Sequence, residues 1–380
     1  MTPRRRIVLA AGGTGGHIFP AQSLAGELTA RGHRPVVVTD RRGADYSAAF
    51  PHMELHAVRS ASPSGTLLAK ARAAVEIGAG TWAARALFRR LSPSVVVGFG
   101  GYPSFPAMLA AVRMGCPTLL HEQNAVLGRV NRLLAPRVSA LALSFPETKG
   151  VRPQDEGKAV VTGNPVREGF AAVRDLKYAD PGDGPLRLLV TGGSLGATIM
   201  SDVVPAALAL LPEGLRERLR VTQQCRKEDL ERVQKVYAEA GITADLASFI
   251  DNVPSLLASS HLAITRAGAS TVAEIAAAGR PAVMVPYPHA TDDHQTANAK
   301  SLVTAGGAWM IPNEKFTVDA CRQTLQALFG DPLTLCEMAE SARKVGRINA
   351  ASDLADMVER LSRANGGGSG DDPVDRKAAA

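Results

Sequence analysis

Short apolar runs, each ending in a polar or glycine-rich turn and followed by apolar positions at helical spacing, recur along the whole chain. In the first half the runs Ile7–Ala10, Pro35–Thr39, Ser94–Val97, Thr118–His121 and Val138–Leu141 predict buried strands, with helical patterns between most of them. A last strand and an exit turn follow in Val160–Arg167. Tyr178–Pro185, with Pro181, Gly182, Asp183 and Gly184, reads as a connector. The pattern restarts at Leu186–Thr191 and continues through Arg220–Gln224, Ala247–Ile250, Leu262–Thr265, Ala282–Val285 and Ala308–Ile311. Strands alternating with helices in both halves predict α/β architecture, with parallel sheets covered on both faces. At 380 residues the chain is long for one core, and a norm of about 150 residues per domain favours two. The predicted organisation is a first domain over 1–163, a linker over 164–185 and a second domain over 186–345. Terminal helices over 346–364 are expected to pack back toward the first domain. The tail 365–380 is flexible by composition.

Two strand–glycine-loop–helix units stand half a chain apart. Arg6–His17 ends in Gly-Gly-Thr-Gly-Gly-His, and Leu186–Gly196 ends in Gly-Gly-Ser-Leu-Gly. A buried strand that feeds a glycine turn at a helix start presents unpaired backbone N–H groups to an anion. Two such units suggest nucleotide-binding-type halves facing each other, with ligands at the carboxyl ends of the strands. A dinucleotide fingerprint, with Asp40 as the ribose-reading acid, is the rival reading. Counted from Gly13, however, its third glycine would fall on Ile18.

Composition narrows the class. The four cysteines (Cys116, Cys225, Cys321, Cys336) lack C-x-x-C spacing, which fits reduced thiols rather than a disulfide frame or zinc site. The apolar start Ile7–Ala11 is five residues long, short for a signal peptide, and no uncharged stretch of about 18 apolar residues offers a membrane span. A net charge of +7 invites an anionic partner. Aromatic residues make up only 4%, and no RNA-binding or helix-turn-helix pattern occurs, so nucleic acid ranks lowest.

Several loops carry candidate chemistry. His17 stands where a loop meets a helix start. The positive helix end there disfavours imidazolium, so the ring suits a general base, or it merely caps the turn. Ser194 can donate a hydroxyl to a diphosphate. Thr271 and Glu274 match a capping box, and Glu274 can alternatively accept from two ribose hydroxyls. His289, Asp292, Asp293 and His294 allow a metal site, although a sugar reader built around Gln295 suits the polar cluster better. Between Leu67 and Leu91 a helical wheel gathers Leu68, Ala71, Val75, Trp82 and Ala86 into one stripe, expected to face the core. Lys70, Ile77 and Phe88 fall off it, and Gly78 and Gly80 are possible breaks. With Arg85, Arg89 and Arg90 this reads as an interfacial apolar–basic patch or as an ordinary solvated amphipathic helix.

Seven stretches together resemble the MurG-type UDP-N-acetylglucosamine transferase family. They are GGTGGHIFPA at 12–21, GFGGYPSFP at 98–106, HEQNAVLGRVNR at 121–132, TGNPVR at 162–167, TGGSLGA at 191–197, RAGASTVAEIAAAGRPAVMVPYP at 266–288 and DDHQTANA at 292–299. The resemblance implies the GT-B fold, two Rossmann-like domains whose parallel sheets face each other across a deep cleft. It implies inverting transfer of GlcNAc from UDP-GlcNAc to the 4-hydroxyl of MurNAc in undecaprenyl-diphospho-MurNAc-pentapeptide (lipid I), giving lipid II for peptidoglycan. By motif, Thr14, Gly15, Gly16, Asn124, Arg167, Ser194, Ile250, Ser270, Thr271, Glu274 and Gln295 serve the donor, and His17 faces the acceptor, where it is the candidate catalytic base. Tyr102, Ser104 and Asn131 lie on the acceptor side. Lys70, Ile77, Trp82, Arg85, Phe88, Arg89 and Arg90 form the membrane patch. No cofactor is required, no metal ligand is assigned, and a divalent cation stays open. Expected partners are UDP-GlcNAc, lipid I, an anionic surface at the cytoplasmic face of the bacterial inner membrane, and cell-wall or division proteins. Asp293 departs from the Asn of many members. Another GT-B transferase, a nonhydrolytic UDP-sugar epimerase, a nucleotide-sugar-binding regulator without turnover and an NAD-dependent oxidoreductase are the alternatives.

Overall fold

The computed structural model describes residues 4–40, 50–62, 65–167, 169–193 and 196–364. Among them, seven parallel strands make the first sheet: β1 Arg6–Ala10, β2 Arg34–Thr39, β3 Glu54–Ala57, β4 Val95–Gly98, β5 Thr118–Glu122, β6 Ala140–Leu143 and β7 Ala159–Val161. Their order is β3-β2-β1-β4-β5-β6-β7. Six more make the second: β8 Leu186–Thr191, β9 Leu219–Gln224, β10 Thr243–Ala247, β11 Leu262–Thr265, β12 Ala282–Met284 and β13 Ala308–Met310, ordered β10-β9-β8-β11-β12-β13. Ile7 pairs with both Pro35 and Val95, and Ile264 with both Val190 and Val283, so β1 and β11 are interior strands. Strand order reverses between β1 and β4 in one lobe and between β8 and β11 in the other, and such switch points open a crevice at the strands' carboxyl ends. The two glycine-loop units follow β1 and β8, and Gly100–Gly101 and Gly268 follow β4 and β11.

The helix Ala350–Ala364 returns to the first lobe. Its Leu354, Ala355, Met357 and Val358 are buried with Ile7, Leu9, Leu24 and Leu28 in one core cluster. Arg31 holds it from outside through Ser352 and Asp356.

Three sequence readings are corrected. The strand expected at Val138–Leu141 is Ala140–Leu143, because the turn Ala135–Arg137 delays its pairing. The strand expected at Ala247–Ile250 is Thr243–Ala247. It is the edge strand of its sheet and only half-buried, so its apolar signal is weak, and β3 at the other lobe's edge escaped the pattern for the same reason. Leu67–Leu91 is one unbroken helix, and its stripe faces the opposite way. Leu68, Val75 and Trp82 are 81%, 71% and 76% exposed, whereas Phe88 is 1% exposed and sits in the core with Ala84 and Leu91. Phe88 therefore does not belong to a surface patch. Neither glycine breaks the helix. Gly80 is where the chain comes closest, since a Cβ there would lie 1.9 Å from the Arg59 carbonyl oxygen, while Gly78 meets nothing within 4 Å.

That difference is measurable by urea unfolding. Gly78→Ala should raise stability by roughly 0.5–1 kcal/mol through helix propensity and a less free unfolded chain. Gly80→Ala should lower it by about 1–3 kcal/mol through overpacking.

Candidate functional site

The helix after β1, Gly15–Ala30, starts on Thr14, whose backbone is extended and whose side chain makes no capping bond. Gly15 and Gly16 supply its first turn, followed by His17 at the third helical position. The helix after β4, Gly101–Arg113, starts beside it, and a Cβ on Gly101 would lie 3.2 Å from His17 Nε2. Two helix starts therefore converge on one imidazole. Tyr102 is partly exposed at the second position of that helix. Ser104 is fully buried and donates its hydroxyl to the Gly101 carbonyl, so it braces the turn rather than lining an open surface.

The loop after β5 is organised from beneath by a buried carboxylate. Glu122 accepts from the Asn124 amide N–H (3.0 Å), the Gly128 N–H (2.8 Å) and Asn131 Nδ2 (2.9 Å). Asn131, 1% exposed, is thus a brace for this loop and does not reach the cleft surface where it was expected. Asn124 is half-buried, and its Oδ1 accepts from Asn298 Nδ2 at 3.1 Å.

A cavity of about 730 Å³ lies between the lobes, bounded by Gly15, Gly16 and Phe19 on one side and by the loops after β8 and β11 on the other. Arg167, Ile250, Ser270, Thr271, Glu274 and Gln295 all line it. Ser194 lies outside the described residues. The loop that carries it is tightly folded at Gly192, where a Cβ would come within 2.2 Å of the Ala197 nitrogen. The Gly192 N–H donates to Gln224 Oε1.

The helix Ala269–Ala278 begins on Gly268 with no side-chain cap, which places Ser270 and Thr271 inside its first turn. The capping-box reading of Thr271 and Glu274 is therefore overturned, because Thr271 is not the residue before the helix. Glu274 instead receives Arg167, whose Nε and Nη2 both reach Oε1, at 3.0 and 2.9 Å. Burial pushes the Glu274 carboxyl up, against the pull of Arg167. The Arg167 guanidinium also lies 5.1 Å from the Phe19 ring centroid, so it is held from both lobes.

Gln295 accepts two backbone N–H groups at Oε1, from Ala267 (3.1 Å) and Tyr287 (2.9 Å). The amide's orientation is thereby fixed, and Nε2 is the end left for a ligand. The metal alternative fares differently, since three of its four side chains are already engaged. His294 donates to the Thr291 carbonyl, His289 packs edge-on to Tyr287, and Asp292 pairs with Arg132. Among the described residues no group of three His, Cys, Asp or Glu side chains is placed to hold an ion. Asp292 and Asp293 both take left-handed backbone (φ 54° and 50°), a region in which Asn is enriched. Asp40, the acid of the dinucleotide reading, is buried behind Gly12.

The sequence reading missed Asn298. It is fully buried, accepts from the Ala125 N–H at 2.7 Å and donates to Asn124 Oδ1 and the Ala267 carbonyl, both at 3.1 Å. One amide thus ties the acceptor-side loop to the second lobe. Its signal was present: Asn298 follows Gln295 by three residues, on the same inward face of the helix His294–Thr304.

Two facing Rossmann-like lobes, with paired helix starts and a shared cavity, define the GT-B fold. The glycosyltransferase family 28 N-terminal domain matches residues 7–143, and the family 28 C-terminal domain matches residues 187–360. A Rhodospirillum centenum protein named UDP-N-acetylglucosamine--N-acetylmuramyl-(pentapeptide) pyrophosphoryl-undecaprenol N-acetylglucosamine transferase is 54% identical over 93% of each chain. A protein of the same name from Paramagnetospirillum magneticum is 51% identical over 95% of this chain and 98% of its own. The crystal structure of Acinetobacter baumannii MurG superposes with a TM-score of 0.78 at 32% identity, covering 94% of this chain and 99% of that one. The chain belongs to the MurG family of glycosyltransferase family 28. Among the described residues no helix is long and apolar enough to cross a membrane.

Asn298 gives a test of how the lobes are joined. Asn298→Ala strands the buried Ala125 N–H, so hydrogen-exchange protection of that amide should fall by roughly 1–3 kcal/mol.

Proposed function

We infer that the chain transfers GlcNAc from UDP-GlcNAc to the 4-hydroxyl of MurNAc in lipid I, with inversion, giving lipid II. The single observation that carries the assignment of roles is the cavity itself, bounded by glycine loops of both lobes and lined by Arg167, Glu274 and Gln295. The start of the helix Ala269–Ala278, with Ser270 and Thr271, takes the diphosphate together with the loop that carries Ser194. Glu274 offers Oε2 to the ribose, since Arg167 occupies Oε1. Ile250, at the cavity wall, stands beside the base. Gln295 Nε2 and Asn124 read the hydroxyls of GlcNAc.

UDP is a fair leaving group, and helix N-termini absorb the charge that develops on its β-phosphate, so departure needs no protein acid. The remaining task is removal of the acceptor's 4-hydroxyl proton as the oxygen attacks the anomeric carbon from the opposite face. His17, at the meeting of two helix starts, is the base. Radiolabelled UDP-GlcNAc with a lipid I analogue, followed by linkage analysis of the product, tests the reaction. His17→Ala should bind UDP-GlcNAc normally and lose about 10²–10⁴-fold in turnover. Near-native turnover would remove His17 from this role.

The acceptor is a lipid, and the exposed face of the helix Leu67–Leu91 supports a peripheral site at the cytoplasmic face of the inner membrane. Leu68, Val75 and Trp82 form its apolar ridge, with Arg72, Arg89 and Arg90 around it and Lys70 and Arg85 exposed on its flanks. Ile77 is half-buried and contributes less. An apolar ridge inside a basic rim suits the headgroup region of an anionic leaflet. In flotation, vesicles containing anionic lipid should carry the protein and neutral vesicles should carry less. Charge reversal at Arg85, Arg89 and Arg90 should abolish the difference. Phe88→Ala should instead unfold the lobe, at a cost of about 3–5 kcal/mol.

A further inference from the structure

His121 and Gln123 stand two residues apart at the end of β5, so their side chains project to the same side of the sheet. Both are buried, at 0% and 2% exposure. His121 Nε2 lies 3.1 Å from the Gly163 carbonyl oxygen, Gln123 Nε2 lies 2.9 Å from His121 Nδ1, and Gln123 Oε1 lies 2.9 Å from His17 Nδ1.

Only one arrangement of protons satisfies this chain. A carbonyl oxygen has no proton to give, so His121 must carry its proton on Nε2 and present a lone pair at Nδ1. Gln123 then faces two acceptors, His121 Nδ1 and, at 3.1 Å, the His121 carbonyl oxygen. Its NH2 must turn toward them, because the reversed amide would set Oε1 against both. Oε1 is left facing His17 Nδ1, which must donate. The proton of neutral His17 is thereby placed on Nδ1, and the lone pair falls on Nε2, beside the start of the helix Gly101–Arg113. Burial pushes His121 down to about 4, so this ring stays neutral and keeps its acceptor through the physiological range. The far end of the chain is fixed too. Gly163 is covered by the stem of Arg347, which in turn donates to the Val161 carbonyl.

We propose that Gln123 and His121 are positioning residues that select the Nδ1–H tautomer of His17, so that Nε2 presents a lone pair to the acceptor hydroxyl. A histidine side chain free in water does not favour this tautomer; the partner of one ring nitrogen sets the proton on the other. The proposal rests on the reading of His17 as the base, and its primary test is independent of turnover.

Nitrogen-15 NMR of histidine-labelled full-length protein reads the tautomer directly. Neutral His17, assigned by its absence in His17→Ala, should show the proton on Nδ1. In Gln123→Leu that preference should disappear, and kcat should fall at least about tenfold with the KM for UDP-GlcNAc unchanged. Gln123→Glu keeps an acceptor opposite Nδ1 and, with its carboxyl proton on the oxygen that faces the two His121 acceptors, should restore the tautomer and part of the turnover. A wild-type ring protonated on Nε2 overturns the proposal, and this measurement needs no variant of Gln123 to fold. A Gln123→Leu ring still protonated on Nδ1, or turnover that survives loss of the tautomer, also overturns it. Failure of the base reading would show separately, as native turnover in His17→Ala with the wild-type tautomer intact.

Discussion

Unpaired backbone N–H groups at helix starts are what the rest of the molecule is arranged around. A helix leaves its first donors without partners, and burial without compensation would be costly. Here the helix starts at Gly15, Gly101 and Ala269 follow strands that flank the two switch points, and all open toward one cleft. None of the three is closed by a side-chain cap. By contrast, Thr66 and Thr317 do cap helices that stand away from the cleft. Helices away from the cleft, such as Leu230–Glu239, also lack a side-chain cap, so what sets the three cleft-facing starts apart is their place at the carboxyl ends of the strands beside the switch points.

With the donors open, the loops need another means of being held, and carboxamides supply it. Gln295, Asn298, Gln123 and Gln224 each have one end claimed by a fixed partner, three of them by a backbone N–H. A claimed oxygen fixes where the NH2 points, and a claimed NH2 fixes the oxygen. Orientation is gained without placing a net charge in a cleft whose substrates are already anionic. Glu122 and Glu274 have their charge engaged, Glu122 by four donors from its own loop and the helix after it and Glu274 by Arg167.

The features legible in the sequence are those with a strong local cause. Interior strands are apolar throughout and end in glycine turns, so β1, β4, β8 and β11 stand out, and with them the positions of Gly15, Arg167, Ser270, Glu274 and Gln295 around the cavity. Edge strands β3 and β10 lack that signal because half their surface meets solvent. The helix Leu67–Leu91 misleads for a deeper reason. Until its last turn, where Phe88 and Leu91 enter the core, its buried side is built from small residues, Ala73, Gly80 and Ala84, which allow close approach to the neighbouring chain, while Leu68, Val75 and Trp82 ride on the outside. An apolar-face rule assigns the largest side chains to the core and so turns this helix by half a revolution. Asn298 and Gln123 were hidden differently. The spacing from Gln295 marks the helix face that Asn298 shares, but the partners of Asn298 and Gln123 lie 173 and 106 residues away in sequence, and no local pattern encodes those distances.

The chain of bonds behind His17 also explains why a carboxamide, rather than an acid, stands next to the ring. In hydrolases that pair histidine with aspartate, the acid fixes the tautomer and also stabilises the imidazolium that forms when the base accepts its proton. A glutamine performs the first service and adds no charge for the second. On the proposal that His17 is the base, the anionic groups that favour an imidazolium come from the phosphates of the reactants. Proton uptake is then tied to occupancy of the site. Once the sugar has been transferred and the anions leave, no fixed carboxylate favours the second proton on Nε2, while Gln123 Oε1 keeps the first on Nδ1, and the ring returns to the tautomer that the Gly163 carbonyl dictates through His121 and Gln123.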